Sequence, residues 1–203
     1  MSKDVYHEKS LTGGMHPVVI IIENFYTNVM ETRDFALKCD FNVEGNFPGM
    51  RTESFATTHI RDHFQSWLEP YGHTITHFPI NKESYNGAFQ LTTSRDRSWV
   101  HVDNHNNWAG VLYMTPDAPV SGGTGFYTYK GDRDIGANSQ DMTKWELVDN
   151  VGNVFNRLIL FNSHMFHSSM DYFGTCKEDG RLTQVFFFST KKNDCEPKID
   201  IKE

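Results

Sequence analysis

The stretch WVHVDNHNNWAG (99–110) sets His101, Asp103 and His105 at two-residue intervals. On an extended strand, side chains at i and i+2 share a face. Trp99, His101 and Asp103 then point one way, and Ser98, Val100 and Val102 the other. On a buried face the Asp103 carboxylate needs a cation or strong hydrogen bonds, because an unpaired buried charge is costly. A divalent metal supplies the cation. Composition is a rival explanation: with ten His in 203 residues, an HxD arises about once by chance. The pattern gains weight only from partners elsewhere. A second imidazole must come from a distant segment, and RLILFNSHMFHSS (157–169) offers His164 and His167. Two His and one carboxylate with open positions suit iron(II).

A second chemical feature lies further on. Arg181-Leu-Thr183 opens the apolar run LTQVFFFS, with Arg181 and Thr183 on one face. An arginine at the mouth of an apolar strand calls for a carboxylate, which its planar fork binds bidentately. Thr183 can donate one more hydrogen bond to the same group.

The elements that would position these residues are mostly strands. Val18–Glu23, His73–Pro79, Gly87–Thr93, Trp99–Asp103, Ala109–Thr115, Gly125–Tyr129, Arg157–Asn162 and Leu182–Ser189 are short runs, many of them bounded by Gly, Pro, Asp or Asn. Two helices lie upstream. One is capped at Thr27-Asn28 and runs to about Cys39, with Met30, Phe35, Ala36 and Leu37 among its buried positions. The other covers Ala56–Leu68, with Ile60, Phe64 and Leu68 on one face. FNVEGNFPGMRTES reads as a loop, and 132–153 as a long polar excursion with a short helix around Met142–Leu147. Many short strands predict a closed or two-sheet β architecture with the helices on one sheet. The chain is read as one domain: an arm at 1–16, strand and helix support at 17–85, a β core at 86–190 and a polar tail at 191–203.

Composition excludes several classes. Nineteen Lys plus Arg against 26 Asp plus Glu give a net charge of -7, with no basic cluster, so an extended nucleic-acid surface is not expected. The N-terminus is polar and the longest apolar run, Val18–Ile22, is too short to span a bilayer, so no membrane association is expected. Cys39, Cys176 and Cys195 are too few and too scattered for a disulfide framework and fit free thiols in the cytoplasm.

The order HxD, His, Arg-x-Thr resembles the Fe(II)- and 2-oxoglutarate-dependent oxygenases, and in particular their prolyl-hydroxylase-like branch. The matching pieces are HVDN (101–104), VLYM (111–114), VSGGTGFYTY (120–129), RLILFNSHMFH (157–167) and RLTQVFFF (181–188), all in the second half of the chain. The resemblance implies a mainly β (α+β) fold, a double-stranded β-helix of jelly-roll or cupin-like type. It implies His101, Asp103 and His167 as iron ligands. Arg181 would hold the distal carboxylate of 2-oxoglutarate with Thr183 beside it, and Tyr113 sits where some members place a further hydroxyl on that group. The implied reaction converts 2-oxoglutarate and O2 to succinate and CO2 while a small-molecule or peptidyl substrate is hydroxylated. Halogenating relatives lack the carboxylate that Asp103 supplies. The departures are a longer His167–Arg181 interval filled by MDYFGTCKEDG, read as an extended hairpin, and Arg-x-Thr in place of the common Arg-x-Ser. The first half of the chain matches only loosely, so neither the substrate nor the oligomeric state carries over.

Each residue also has a plainer reading. His164 rivals His167, but Ser163 stands about where the family carries a Ser before its ligand. His105 fits a solvent-facing turn. His59 and His63 share a helix face without an accompanying Glu. Gly122-Gly123 reads as a turn rather than a phosphate cradle, since no helix follows. Trp99, Trp108 and Phe126 line a pocket or fill a core. Arg51 either reaches the site to hold an anionic substrate or lies on the surface. A cupin-like metalloenzyme of other chemistry and a non-catalytic metal-binding module are the alternatives; neither needs Arg181.

Overall fold

The run VVIII (18–22) has branched residues on both sides of the chain, which fits a strand covered on both faces. In a computed structural model, which describes residues 3–9, 15–131 and 139–193, it lies in β2 (Met15–Ile22). Ile20 and Ile22 enter one apolar core, and Val19 and Ile21 enter another. The run LILF divides in the same way within β9 (Leu158–Asn162): Leu158 and Leu160 face the first core, Ile159 and Phe161 the second.

These strands belong to an eight-stranded sheet. Its order is β1 (Lys3–Lys9), β2, β9, β6 (Trp108–Tyr113), β11 (Arg181–Lys192), β5 (Ala88–Thr92) and β3 (Met50–Ser54). β4 (His73–His77) pairs with the far end of β11. Helices α1 (Val29–Lys38) and α2 (Thr58–Leu68) contribute to the first core. In α2 the Thr57 hydroxyl accepts the Ile60 N–H, and Ile60, Phe64 and Leu68 are buried. Phe64 meets Phe186 and Phe188 of β11 at ring distances of 5.0 and 5.4 Å. Burying such a ring contributes about 1.5–3 kcal/mol. The other face meets a three-stranded sheet, β10 (His167–Ser169), β7 (Thr124–Tyr129) and β8 (Trp145–Val151). Phe126 and Val151 of this sheet pack with Ile159 and Phe161. The protein is therefore mainly β, a double-stranded β-helix with its helices on one sheet, as expected.

Several local expectations are corrected. Residues 99–103 are not a strand; His101 makes a single bridge to His167. The expected loop 41–54 ends in strand β3, whose Arg51 pairs with Gln90. Among the described residues of the polar excursion only a 3-10 turn, Met142–Lys144, is helical, and the next seven residues form β8; 132–138 lie outside the described residues. The 1–16 arm includes β1, which pairs with β2. The tail 194–203, with Cys195, lies outside the described residues. MDYFGTCKEDG is an irregular loop, not a hairpin. On α1, Met30 and Phe35 are half exposed, because the helix buries Arg33 and Ala36 instead. Phe35 lies at the side, edge-on to Phe55 at 5.1 Å.

Candidate metal and carboxylate site

His101 and His167 are locked together by their backbones. Each N–H donates to the other's carbonyl, at 3.0 and 2.9 Å. The Asp103 N–H donates to Ser163 O at 2.9 Å, and the Ser163 hydroxyl donates to Asn106 O. Asn107 exchanges two 2.8 Å hydrogen bonds with the Thr190 backbone of β11. A segment without strand structure is thus fixed at both ends. One ligand-type atom from each of His101, Asp103 and His167 lies within 4.8 Å of the others.

Both imidazoles are oriented by the same device. Nδ1 of His101 bonds Trp99 O at 3.0 Å, and Nδ1 of His167 bonds Met165 O at 2.8 Å. A carbonyl only accepts, so each Nδ1 donates a proton there and Nε2 is the nitrogen left to face the cavity. Those nitrogens face Asp103 at 3.8 Å (His101) and 3.4 Å (His167). Two imidazole nitrogens and a carboxylate converge there, which is the donor set of a divalent metal. Burial, then the His167 charge, pulls the His101 pKa down. Burial pushes Asp103 up, but His167, His101 and Arg51 together hold it below the usual carboxylate range. His164 and His105 are exposed on turns. His59 and His63 are exposed and face each other at 3.2 Å, and among the described residues no third ligand joins them.

The trio opens on a cavity of about 510 Å³, within the range of small-molecule sites. Arg181 and Thr183 line it too. Arg181 is buried, and its Nε and Nη2 donate to Gly122 O at 2.7 Å and Gly123 O at 3.3 Å. These bonds fix the plane of the guanidinium through its Nε–Nη2 side and leave Nη1, with the second Nη2 proton, free of hydrogen bonds among the described residues. No carboxylate pairs with it there. Burial pulls its pKa down, opposed by Tyr113 and Tyr172. Gly123 is required where it stands: a Cβ would lie 2.0 Å from Val151 O of β8. The Gly-Gly turn therefore presents carbonyls to Arg181, a role not read from the sequence. Thr183 Oγ1 makes only a long bond, 3.5 Å, to Gln90 O. Tyr113 does not line the cavity. Its hydroxyl meets Thr124 Oγ1 at 2.8 Å, and Arg181 Cζ lies 5.6 Å from its ring centre.

Two residues stand out beyond these. Tyr172 Oη is buried without a hydrogen-bond partner, and Arg181 Cζ lies 6.0 Å from its ring. Tyr172 belongs to the 170–180 loop, where nothing in the sequence marks it. Arg51 is buried and lines the cavity rather than the surface. Of the three aromatics, Trp99 lines the cavity, while Trp108 and Phe126 are core residues.

Comparison with solved structures bears on the fold. HygX from Streptomyces hygroscopicus, solved with nickel, 2-oxoglutarate and hygromycin B bound, aligns at a TM-score of 0.54 and 12% identity, over 87% of this chain and 83% of that one. The chain has the 2-oxoglutarate oxygenase fold. A second HygX structure, with nickel and 2-oxoglutarate bound, aligns equally well. A Trichoplax adhaerens prolyl hydroxylase in complex with a hypoxia inducible factor peptide fragment aligns at a TM-score of 0.48 and 13% identity, over 84% and 83% of the two chains. No protein-family model and no curated protein matches the sequence. The oxygenase likeness is one of fold, and the chemistry rests on the residues above.

Proposed function

We propose that the protein is an Fe(II)- and 2-oxoglutarate-dependent dioxygenase that hydroxylates a small-molecule or peptidyl substrate. One observation carries this reading. A single cavity joins two imidazoles and a carboxylate, which call for a metal, to a buried arginine edge, which calls for a carboxylate. His101, Asp103 and His167 would hold iron(II), and Arg181 with Thr183 the distal carboxylate of 2-oxoglutarate. Bound there, iron(II) and 2-oxoglutarate supply an oxidant from O2 as the 2-oxo acid becomes succinate and CO2. The chain's own residues bind and orient. The Trp99 and Met165 carbonyls keep each Nε2 free for the metal. Gly122 and Gly123 aim Arg181. Tyr113 acts at one remove, beneath the Arg181 guanidinium.

The Tyr172 hydroxyl supports the reading. A buried donor without an acceptor costs about 1–3 kcal/mol; Tyr172 stands behind the cavity lining, with its ring beside Arg181, and a carboxylate at Arg181 that drew the hydroxyl toward it would offset that cost. Tyr172→Phe is therefore expected to weaken 2-oxoglutarate binding by about threefold to tenfold, the value of one hydrogen bond. Because the hydroxyl has no partner to lose, the melting temperature of the cofactor-free protein should hold or rise. Unchanged affinity in an anaerobic titration would take Tyr172 out of the site.

The reading itself is tested by succinate release. The iron(II) protein with 2-oxoglutarate and O2 is screened against candidate substrates, with succinate read by mass spectrometry. Substrate-stimulated succinate, abolished by removing iron, is the expected result. A cupin-like enzyme of other chemistry would turn over without 2-oxoglutarate, and a binding module would release nothing.

A further inference from the structure

Resting on the dioxygenase reading, we propose that Arg51 anchors a carboxylate of the substrate, which is a small organic acid with an apolar body. The register of the large sheet sets the geometry. Arg51 of β3 pairs with Gln90 of β5, Gln90 with Thr183 of β11, and Thr183 with Tyr113 of β6. Arg51 thus stands two strands from Thr183, about 10 Å at the usual strand spacing. It is a second cationic position in the same cavity, separate from the Arg181 end.

Arg51 is built into the wall and left unpaired. It is only 8% exposed. Its Nε donates to Gln90 Oε1 at 2.9 Å, and the Gln90 amide is itself fixed by donating to Pro48 O at 2.8 Å. The guanidinium lies 4.0 Å from the Phe47 ring centre, with Tyr85 and Phe187 at 5.5 and 5.4 Å. Three rings hold its plane, and neither terminal nitrogen has a hydrogen-bond partner among the described residues. No carboxylate comes within ion-pair distance of it there. Burial pulls its pKa down to about 10, with Asp103 opposing, so the cation persists at neutral pH. A buried cation without a counter-ion is costly, and an anion entering the cavity removes that cost.

The class of anion follows from what surrounds it. Among the described residues that line the cavity, Arg51 and Arg181 are the only Lys or Arg, and with Arg181 given to 2-oxoglutarate one positive charge remains there. A free planar edge matches a planar monoanion bidentately. A phosphate dianion would want a second cation or a helix N-terminus, and α1 and α2 contribute no lining residue. Phe47, Pro79, Tyr85 and Trp99 give the acid an apolar bed.

The test uses matched pairs of acid and primary amide: benzoate with benzamide, phenylacetate with phenylacetamide, and indole-3-acetate with indole-3-acetamide. Each is titrated by calorimetry into manganese(II)-loaded protein saturated with 2-oxoglutarate, where no turnover occurs. In at least one pair the acid should bind tenfold or more tighter than its amide. Arg51→Gln should abolish that preference, Arg51→Lys should keep part of it, and the 2-oxoglutarate affinity should stay within about twofold throughout. The wild-type comparison decides the acid preference even where a variant fails to fold. The proposal is overturned by no preference in any pair, by a preference that survives Arg51→Gln, or by an equal loss of 2-oxoglutarate. If wild type takes up no 2-oxoglutarate, the dioxygenase reading fails, while an acid preference that depends on Arg51 would still stand as a carboxylate site.

Discussion

Arg181→Ala is expected to weaken 2-oxoglutarate binding by about a hundredfold or more, with iron affinity almost unchanged. A charge-assisted bidentate pair contributes about 1.5–3 kcal/mol, and truncation also leaves a desolvated carboxylate without its partner. At about 1.4 kcal/mol per tenfold, the sum reaches that range. Arg181 does not belong to the His101–Asp103–His167 cluster, so metal uptake should not follow. The variant also strips donors from Gly122 O and Gly123 O, so a melting curve must accompany the titration. Arg181→Lys keeps the charge and loses the fork, and should fall between. Equal 2-oxoglutarate affinity in all three proteins would remove the cofactor from that end of the cavity.

His101→Ala, Asp103→Ala and His167→Ala should each weaken iron(II) binding by more than the 10–100-fold that loss of an outer partner typically costs. The fold should persist, because the His101–His167 link is made by backbone groups. His164→Ala should bind iron as wild type does, since its side chain stands exposed on a turn. Metal content after dialysis, measured on all four variants, reads the difference. If His164→Ala loses iron and His167→Ala retains it, the ligand assignment is wrong. Zinc or nickel can bind such a donor set more tightly than iron, so the protein should be loaded from the metal-free state.

What the sequence made legible were the strands buried on both faces. VVIII and LILF have no polar side to confuse with a helix face, and each divides between the two cores. β8 was missed because five of its seven residues are exposed and read as loop. β3 was missed because it is a polar strand next to a Pro-Gly turn. The three expected ligands do converge, but by a device different from the one read in the spacing. Residues 99–103 form no strand, and the i−2 carbonyls of Trp99 and Met165 aim the rings instead. Tyr172 was illegible because its significance is an absent partner, which only folding reveals. Arg51 had two readings until the register with Gln90 fixed it in the cavity wall.

The most direct measurement is an anaerobic titration of the iron(II) protein with 2-oxoglutarate, followed by charge-transfer absorption. A saturable band that needs iron, reaches its limit at one equivalent of 2-oxoglutarate and is lost in Asp103→Ala is the predicted result. An iron-loaded wild-type protein that develops no band and binds no 2-oxoglutarate would contradict the dioxygenase reading.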